Sequence, residues 1–383
     1  MQYKNFVLAP DSFKESMTAK EVCVAMEKGL RKVYPEANYI HVPMADGGEG
    51  TVQSLVDASG GELLYAEVTG PLSQKVTASF GIMGDGTTAA VEMASASGIH
   101  LVEKSARNPL ITTTYGTGEL IRECLDRGVR KIIIGIGGSA TNDGGTGMAA
   151  ALGARFLDAA GEVLPQGGGN LNRLASIDVS ALDPRLQEVQ LIVACDVTNP
   201  LCGPTGASVV FGPQKGATPD MVQQLDANLA HYAEVVNRQL GKNVQDVPGA
   251  GAAGGLGAGL LIFTQAVLQK GIDIVIEYTG LNAKIAAADV VFTGEGGIDF
   301  QTKFGKTPYG VARAAKAKGK RVIALAGYVG AGIETLYDEG IDAIFGIVPG
   351  ASSLEKLLTE GPENVERTAE NIARVLQFGE SLS

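Results

Sequence analysis

Short apolar segments alternate with segments of helical periodicity along this chain, and no other feature constrains its fold as strongly. An apolar run at residues 6–9 is followed by a helical pattern at residues 22–33, where apolar side chains recur every three or four positions. A second apolar run at residues 39–43 precedes a second helical pattern at residues 52–56. This order predicts a parallel sheet whose two faces are covered by helices.

The C-terminal part of the chain repeats that order. Apolar segments at residues 290–293, 322–326 and 343–348 predict strands. One helical pattern begins near Lys306, and a second covers residues 363–376. Between the strand that ends at residue 293 and the helix that follows it, we expect a long glycine-rich loop.

The middle of the chain follows another pattern. Residues 66–92 alternate in short β-like runs without a helical period between them, which indicates antiparallel strands. Further strands are expected at residues 132–134 and 191–194, and a long amphipathic helix at residues 220–240.

These patterns together predict an α/β fold with two domains. The first is a discontinuous Rossmann-like or flavodoxin-like parallel-sheet domain formed by both chain ends, residues 1–68 and 284–383. The second is an inserted mixed α/β domain, residues 69–283. No Pro-rich or Ser-rich linker separates the two.

Charge and composition argue against several classes of function. Lys and Arg number 31 against 42 Asp and Glu, so the formal net charge is −11 and no cationic surplus is left to neutralise nucleic-acid phosphates. No stretch approaches the roughly 18 apolar residues of a membrane helix, and the first apolar run is too short for a secretory signal. The four Cys and three His lack metal-ligand spacing. We expect a cytoplasmic protein that binds neither nucleic acid nor membranes.

Glycine accounts for 52 residues, roughly twice the average share. Many of these glycines lie in polar loops that follow predicted strands, where ligands bind in open parallel sheets. Each loop mixes Asp with Gly, Ser or Thr, which suits phosphate, Mg²⁺ or a hydroxylated substrate but is also a common turn composition. The loops are residues 10–16, 45–51, 135–147, 195–206 and 293–308.

Known nucleotide-binding motifs are matched only in part. The GKT segment at residues 305–307 ends like a P-loop, but Phe300 stands where that motif has its first glycine. Residues 249–254 have the spacing of a dinucleotide fingerprint without a strand before them. Residues 135–140 do follow a strand, and Asp158 lies at a suitable distance, so an NAD(P)-dependent hydroxy-acid dehydrogenase stays open as an alternative.

Phosphoryl transfer needs N–H donors around the phosphates, Mg²⁺ on carboxylates, a cation, and a carboxylate near the attacking hydroxyl. The polar loops contain groups of all these kinds. As ligands of Mg²⁺ or of its bound water, we expect Asp143, Glu295 and Asp299. The candidate cations are Lys14, Lys215, Lys303 and Lys306.

Several motifs spread over nearly the whole chain match one family. They are residues 9–16 (APDSFKES), 44–51 (MADGGEGT), 134–148 (IGIGGSATNDGGTGM), 194–208 (ACDVTNPLCGPTGAS), 211–217 (FGPQKGA), 247–259 (VPGAGAAGGLGAG) and 293–299 (TGEGGID). In these motifs the chain resembles the bacterial glycerate kinase family, of the glycerate 2-kinase type. One departure is that the family commonly reads GEGRID, followed by a small polar residue, where this chain has Gly297 and then Phe300.

The resemblance implies ATP-dependent, Mg²⁺-requiring phosphorylation of D-glycerate, with 2-phosphoglycerate as the usual product. It also implies two α/β domains, one of them Rossmann-like and built from both termini. D-glycerate is then the expected small-molecule partner, and a homodimer is left open. A small-acid binding protein without catalysis is a further alternative, although solute-binding proteins normally carry an export signal.

We expect the active site in a cleft between the two domains. Asp196 follows a predicted strand and is the favoured base for the glycerate hydroxyl, and Asp46 is the competing base. Lys14 is expected to act on the glycerate carboxylate or a phosphate oxygen. The expected substrate-binding residues are Asp11, Ser12, Thr198 and Asn199. The expected nucleotide-binding residues are Gly137, Gly138, Ser139, Thr141, Gly251, Gly254, Gly255, Thr293 and Gly294.

Overall fold

The structure, a computed structural model, describes residues 3–380, so residues 1–2 and 381–383 of the predicted terminal domain lie outside the described residues. The strands are β1 Asn5–Leu8, β2 Asn38–His41, β3 Glu62–Thr69, β4 Lys75–Ile82, β5 Thr88–Glu92, β6 Lys131–Gly135, β7 Arg155–Leu157, β8 Ser176–Asp178, β9 Gln190–Ala194, β10 Val267–Gln269, β11 Val290–Ile298, β12 Arg321–Val329 and β13 Ala343–Gly346.

The α-helices connect these strands. They are α1 Ala19–Arg31, α2 Thr51–Ser59, α3 Ala94–Ser97, α4 Tyr115–Asp126, α5 Thr146–Ala151, α6 Ala207–Phe211, α7 Pro219–Leu240, α8 Ala252–Phe263, α9 Gly271–Tyr278, α10 Leu281–Ala286, α11 Thr307–Lys316, α12 Glu334–Asp338, α13 Leu354–Thr359 and α14 Gly361–Glu380. Within residues 3–380, none of the helices combines the length and the apolar character needed to cross a membrane.

The first sheet is wholly parallel and has the order β2–β1–β11–β12–β13. After β1 the chain moves outward to β2, and from β11 it moves outward in the other direction through β12 and β13. This is the flavodoxin-like order, in which the two halves of the sheet diverge from a pair of neighbouring strands. The parallel sheet predicted from both chain ends is confirmed.

Helix α1 illustrates how the local sequence builds this layer. The Thr18 hydroxyl accepts a hydrogen bond from the Glu21 N–H, and the Glu21 carboxylate accepts one from the Thr18 N–H at 2.8 Å. This capping box satisfies N–H groups that a helix start leaves unpaired. Val22, Met26 and Leu30 are fully buried along one side of the helix. Through that side α1 packs with α14 and covers one face of the sheet.

The prediction of a glycine-rich loop after residue 293 is wrong for the first part of that segment. Residues 294–298 continue strand β11 and pair with the second half of β12. A Cβ at Gly294 would lie 2.3 Å from the Leu325 carbonyl oxygen, so glycine allows the two strands to approach closely there. The parallel ladder, which is a long-range feature, overrides the local preference of glycine for turns.

The second sheet has the order β10–β9–β6–β5–β4–β3. Strands β3, β4 and β5 are antiparallel neighbours, whereas β5, β6, β9 and β10 pair in parallel. The antiparallel strands predicted in the middle of the chain and the mixed α/β character of the inserted part are therefore confirmed. A separate antiparallel pair is formed by β7 and β8.

The long helix predicted at residues 220–240 is α7, which spans Pro219–Leu240. The Thr218 hydroxyl accepts a hydrogen bond from the Met221 N–H at its start, and Pro219 occupies its first turn. Gly241 ends the helix in the left-handed conformation, with φ of 66°. These are ordinary start and stop signals, so the helix was predictable from local sequence.

Contacts between Cα atoms divide the chain into two compact units. The first unit consists of the residues up to 46, residues 53–60 and the residues from 271 onward, and it contains the parallel sheet. The second unit consists of residues 47–52 and 61–270 and contains the mixed sheet. The domain limits proposed from the sequence, at residues 68/69 and 283/284, stay a prediction.

Candidate active site

Strands β1 and β11 form the switch point of the first sheet, because the chain leads away from them in opposite directions. Such a point leaves a crevice at the carboxyl ends of the strands, and ligands bind there in open α/β sheets. Asp11 follows β1, and its N–H donates a 2.8 Å hydrogen bond to the Gly294 carbonyl on β11. The backbone therefore fixes Asp11 beside β11 at this switch point.

Three carboxylates of the first unit interact at the switch point. Burial, together with repulsion from Asp46, raises the pKa of Asp11 to about 6. Burial, together with repulsion from Asp11 and Asp46, raises the pKa of Glu295 to about 7. Carboxylates that are held close together and away from solvent are stabilised in their charged form by a cation. This group is the acidic cluster of the first unit.

Residues 302–307 supply donors and a cation to the acidic cluster. Thr302 Oγ1 donates a 2.9 Å hydrogen bond to Glu295 Oε1, and Lys306 Nζ lies 3.5 Å from Glu295 Oε2. Thr307 Oγ1 donates a hydrogen bond to Asp11 Oδ2. Thr302 and Thr307 were missed by sequence reasoning. The GKT segment at residues 305–307 could have indicated Thr307. It does not complete a P-loop motif, but it lies at the switch point.

The loop after β1 carries two more of the predicted site residues. The Ser12 N–H donates a 2.6 Å hydrogen bond to Asp11 Oδ1, so the Asp11 carboxylate orders the first turn of this loop. Lys14 follows with an exposed side chain. Glu15 adopts a φ of 62°, which is uncommon for a residue other than glycine. Ser12 and Lys14 thus lie on the same short loop as Asp11.

The predicted residues on and after β11 have different surroundings. The Thr293 hydroxyl is buried and donates a 2.9 Å hydrogen bond to the Ala9 carbonyl, where it links β11 to the end of β1. Asp299 lies just beyond β11, and its Oδ1 accepts a 2.8 Å hydrogen bond from the Gln301 N–H. Thr293 is part of the sheet, whereas Asp299 lies in the turn that follows it.

In the second unit, strands β6 and β9 are neighbours and present two predicted loops at one edge of the sheet, because Gly135 pairs with Ala194 at their carboxyl ends. Gly137 and Gly138 follow β6 and are exposed. Ser139 is buried and forms an isolated β-bridge with Gly98. The turn at Gly137 and Gly138 therefore projects into solvent from a firmly held segment.

The loop after β9 carries the favoured base of the sequence analysis. Asp196 and Thr198 are exposed, and Asn199 is half-buried. Asn199 Nδ2 donates a 2.8 Å hydrogen bond to the Thr205 carbonyl, so this amide closes its own loop. The structure thus brings Asp196, Thr198 and Asn199 together on one loop of the second unit.

Asp143 is fully buried in the second unit and holds a complete set of protein donors. Its Oδ2 accepts hydrogen bonds from the N–H and the hydroxyl of Thr114, both at 2.8 Å. The Gly145 N–H donates to Oδ1 at 3.1 Å, and the Gly147 N–H donates to Oδ2 at 3.3 Å. Burial nevertheless raises the pKa of Asp143. The carboxylate shapes the turn that leads into α5.

Lys215 is buried in the same region. Its ammonium donates a 2.6 Å hydrogen bond to the Thr141 carbonyl, and Asp143 is near enough to stabilise its charge. Burial lowers the pKa of Lys215 to about 7. Thr141 Oγ1 and Asn142 Oδ1 are buried atoms without a hydrogen-bond partner. Lys215 therefore anchors the segment before Asp143 from inside the protein.

The glycines predicted to bind nucleotide at the start of α8 pack closely against neighbouring loops, and their nucleotide-binding role stays a prediction. A Cβ at Gly251 would lie 2.1 Å from the Pro200 carbonyl oxygen, and one at Gly254 would lie 2.0 Å from the Thr141 carbonyl oxygen. Gly254 and Gly255 also adopt left-handed φ angles of 67° and 91°. Close contact between α8 and the neighbouring loops therefore accounts for these three glycines.

Glu92 is a buried carboxylate that sequence reasoning missed. It ends β5, and its Oε1 accepts a 2.9 Å hydrogen bond from the Val52 N–H at the start of α2. Burial raises its pKa, and N–H groups of Gly50 and Thr51 oppose that rise. Glu92 therefore orders the end of the 45–51 loop, a long-range contact that no local motif indicates.

Within residues 3–380, no three His, Cys, Asp or Glu side chains are arranged as a ready-made metal site. Asp158, which the dehydrogenase alternative requires near a ribose, is engaged in its own turn and pairs with Arg173 at 2.7 Å.

Comparison with known proteins decides the family. A model of the glycerate kinase family matches residues 6–377. The chain belongs to this family. A glycerate kinase from Haemophilus influenzae is 56% identical over 373 residues, which cover 97% of this chain and 99% of that protein. A glycerate 2-kinase from Escherichia coli is 52% identical, covering 97% and 98%.

A solved structure supports the glycerate kinase family fold over the whole chain. The crystal structure of a putative glycerate kinase 2 from Salmonella typhimurium LT2 is 51% identical and has a TM-score of 0.92. It covers 99% of this chain and 100% of its own. The family resemblance inferred from the sequence motifs is therefore confirmed, together with the α/β fold.

Proposed function

We propose that this chain transfers the terminal phosphoryl group of ATP to D-glycerate and that 2-phosphoglycerate is the product. The acidic cluster carries this proposal, because Asp11 and Glu295 lie at the switch point, Asp46 is near enough to repel both, and Lys306 Nζ lies 3.5 Å from Glu295 Oε2. Phosphoryl transfer uses carboxylates to hold Mg²⁺ and to orient the attacking hydroxyl, and a cation to offset the developing charge. The name of the Escherichia coli relative, glycerate 2-kinase, supports the 2-phosphate as product.

We assign a magnesium ion to Glu295, with Asp299 as the second ligand of the same segment. Mg²⁺ is usually held by one or two carboxylates, with phosphate oxygens and water completing its shell, so a site of three side chains is not required. The donor set fits, because Glu295 is a buried carboxylate whose pKa is raised to about 7 by burial, and a bound cation would favour its charged form. The ion would neutralise the charge on the transferred phosphoryl group. Asp143 was the third ligand expected from the sequence. We reassign it to ordering the turn that leads into α5.

We assign the base to Asp46, which was the competing base in the sequence analysis. Asp46 belongs to the acidic cluster through its repulsion with Asp11 and Glu295. A carboxylate near the attacking hydroxyl accepts its proton as the new bond forms. Asp196, on the exposed loop after β9, is the second candidate. Lys14 is assigned to a phosphate oxygen.

We retain the glycerate-binding role for Ser12, Thr198 and Asn199, whose hydroxyl and amide groups suit a small hydroxy acid. For anionic oxygens we retain the exposed residues Gly137 and Gly138, because backbone N–H groups in glycine-rich turns bind anions without side-chain cations. Gly251, Gly254 and Gly255 are reassigned to packing. The cytoplasmic location and the homodimer stay predictions.

The product decides the reaction. The protein is incubated with ATP, Mg²⁺ and D-glycerate, and the phosphorylated product is identified by phosphorus NMR. We expect glycerate-dependent formation of ADP and 2-phosphoglycerate. A product phosphorylated on the other hydroxyl would overturn the assigned position. An ATP-independent change in nicotinamide absorbance with NAD(P) and glycerate would favour the dehydrogenase.

A pair of substitutions tests the base. Asp46→Asn should lower kcat by about 10²–10⁴, since that is the usual contribution of such a group, while Asp196→Asn should lower it less. Asp57→Asn is the matched control, because this carboxylate pairs with Lys20 at 3.1 Å on helix surfaces of the first unit. The reverse ranking of the first two variants would return the role to Asp196.

A further inference from the structure

Residues 13–17 form a closed turn in the loop after β1. The Phe13 N–H donates a 2.9 Å hydrogen bond to the Met17 carbonyl, and the Met17 N–H donates a 2.8 Å hydrogen bond to the Phe13 carbonyl. Phe13 and Met17 are buried in the core of the first unit, while Lys14 and Glu15 are exposed between them. The two ends of the turn are therefore fixed, and its middle carries the lysine assigned to a phosphate oxygen.

The middle of this turn is strained. Glu15 has a φ of 62°, in the left-handed region that residues other than Gly, Asn and Asp seldom adopt. Such a conformation persists only where the surrounding contacts hold it. Of the middle residues 14–16, and within residues 3–380, Ser16 alone hydrogen-bonds another element through its side chain. The Ser16 hydroxyl is therefore the side-chain contact that can offset the strain at Glu15.

Ser16 connects the strained turn to the junction of α13 and α14. Its Oγ donates a 2.6 Å hydrogen bond to the Leu358 carbonyl in the last turn of α13. The contact is tight, because a Cβ at Gly361, the first residue of α14, would lie 2.2 Å from Ser16 Oγ. Glycine at that position leaves room for the hydroxyl. The hydrogen bond joins residues 342 positions apart, so no local preference of the loop supplies it.

The turn also lies against β11. A Cβ at Gly296 would lie 3.5 Å from the Lys14 N and 3.7 Å from the Phe13 Cα. Gly296 follows Glu295, the carboxylate to which the magnesium ion is assigned. The backbone of Lys14 therefore runs beside the strand segment that carries this carboxylate, and a displacement of the turn moves the lysine relative to it.

We propose that Ser16 is a positioning residue for the nucleotide. Its hydrogen bond to the Leu358 carbonyl holds the strained turn, so that Lys14 is in position for a phosphate oxygen before ATP binds. The inference rests on the proposed function, which assigns Lys14 to the phosphates. Without the hydrogen bond the turn relaxes and its binding-competent form becomes a minor population, so the apparent affinity falls by that fraction.

Calorimetric titration with a nonhydrolysable ATP analogue and Mg²⁺ tests this role without turnover. Ser16→Ala removes the hydroxyl, and we expect its Kd to rise about fivefold, the factor that one hydrogen bond typically contributes. Ser59→Ala is the matched control and should keep the wild-type Kd, because Ser59 Oγ also donates to a helix carbonyl, that of Leu55 at 2.8 Å within α2. A Ser16→Ala protein with a lowered free energy of unfolding but the wild-type Kd would show that the serine only stabilises the end of α13, and would overturn the proposal.

Gly361→Ala breaks the same hydrogen bond from the side of α14. Its Cβ would displace Ser16 Oγ, whereas it would lie 3.5 Å from Ser16 Cβ, which is an ordinary contact. Its other close neighbour, Met17 Cε at 3.0 Å, is the end of a flexible side chain. We therefore expect Gly361→Ala alone to raise the Kd about fivefold, and the double variant with Ser16→Ala to stay near that value. A double variant whose Kd rises by the full product of the two single effects would overturn the proposal.

The dependence on Lys14 is tested in the same way. Lys14→Ala removes the ammonium, and adding Ser16→Ala to it should raise the Kd no further, because the turn then has no cation to position. In steady-state kinetics Ser16→Ala should raise the KM for ATP about fivefold and change kcat by less than about twofold, since bound nucleotide selects the held turn. A further fall in affinity of about fivefold in the Lys14→Ala background, or a fall in kcat at an unchanged KM, would contradict the positioning role.

Failure of the proposed function would look different. Wild-type protein that forms no phosphoglycerate from ATP and D-glycerate, while Ser16→Ala still weakens binding of the ATP analogue, would contradict the reaction and leave the positioning role standing. Wild-type protein that makes 2-phosphoglycerate, with an unaltered Kd for the analogue in Ser16→Ala, would contradict only the positioning role.

Discussion

Lys215 donates a 2.6 Å hydrogen bond from its ammonium to the Thr141 carbonyl, and both residues are buried in the second unit. A lysine seldom occupies such a position, because burial disfavours the charged form. Asp143 compensates in part, since its carboxylate raises the pKa that burial lowers. The burial of Lys215 near Asp143 leads to two predictions about the free energy of unfolding.

The first concerns pH. Burial lowers the pKa of Lys215 to about 7 in the folded protein, whereas the unfolded chain keeps the usual value near 10.5. Between these two values the unfolded state binds the additional proton, so the free energy of unfolding rises with pH across that window. Lys215→Met removes this rise. Urea denaturation from about pH 7 to about pH 9 should therefore show wild type gaining stability relative to Lys215→Met.

The exposed Lys318 provides the control for this measurement. Lys318→Met should follow the wild-type stability at every pH. If the difference between wild type and Lys215→Met stayed constant across the window, the ammonium would not be losing its proton in the folded state.

The second prediction concerns the coupling of Asp143 with Lys215. Asp143→Asn leaves a buried ammonium without its opposite charge, and Lys215→Met leaves the carboxylate without its cation. Below about pH 7, where Lys215 keeps its proton, each change should lower the free energy of unfolding by about 1–3 kcal/mol, the cost of leaving a buried polar group unsatisfied. The double variant should lose clearly less than the sum, because no isolated charge remains. Urea denaturation of the four proteins measures this, and additivity within about 0.5 kcal/mol would rule the coupling out.

The third prediction separates backbone conformation from close packing. Gly254 and Gly128 both have left-handed φ angles, 67° and 72°, but only at Gly254 would a Cβ clash, 2.0 Å from the Thr141 carbonyl oxygen. Gly128→Ala should lower the free energy of unfolding by about 1–2 kcal/mol, because only the left-handed backbone conformation disfavours the new side chain. Gly254→Ala should cost about 1–3 kcal/mol more, since packed backbone must move. Equal losses in thermal or urea unfolding would mean that the α8 contact is not rigid.

The fourth prediction concerns magnesium. Glu295→Gln keeps the size of the side chain and can still accept the Thr302 hydrogen bond, but it removes the charge assigned to the ion. The Mg²⁺ concentration for half-maximal activity should rise by about tenfold or more, and kcat at saturating Mg²⁺ should fall less. Glu334→Gln, in the first turn of α12, is the control. An unchanged Mg²⁺ requirement in Glu295→Gln would remove the ion from this carboxylate.

Local signals were sufficient for most helices and strands. The capping box at Thr18 and Glu21, and the stop at Gly241 after α7, depend on atoms within a few residues of one another. The parallel sheet of both chain ends followed from the alternation of apolar and helical segments. The failure at residues 294–298 has a physical cause, since glycine weakens a strand locally while β12 supplies the hydrogen bonds that extend it.

The candidate site depended much more on tertiary structure. The sequence alone selected Asp11, Asp46 and Glu295, because each carboxylate lies in a polar segment at a predicted strand end. It did not identify Thr307 as a donor to Asp11, since these residues are 296 positions apart. It also assigned Gly254 to nucleotide binding, which stays a prediction, because a ligand and a neighbouring loop make the same demand on a glycine.

The sequence by itself therefore determined the family, the α/β order and the residue types available for phosphoryl transfer, since these are encoded in short motifs and periodicities. Only the tertiary structure decided which of those residues meet. The pairing of β1 with β11 joins segments from the two ends of the chain, and that register depends on hydrogen bonds and packing summed over the whole sheet. No segment of the sequence carries that sum alone.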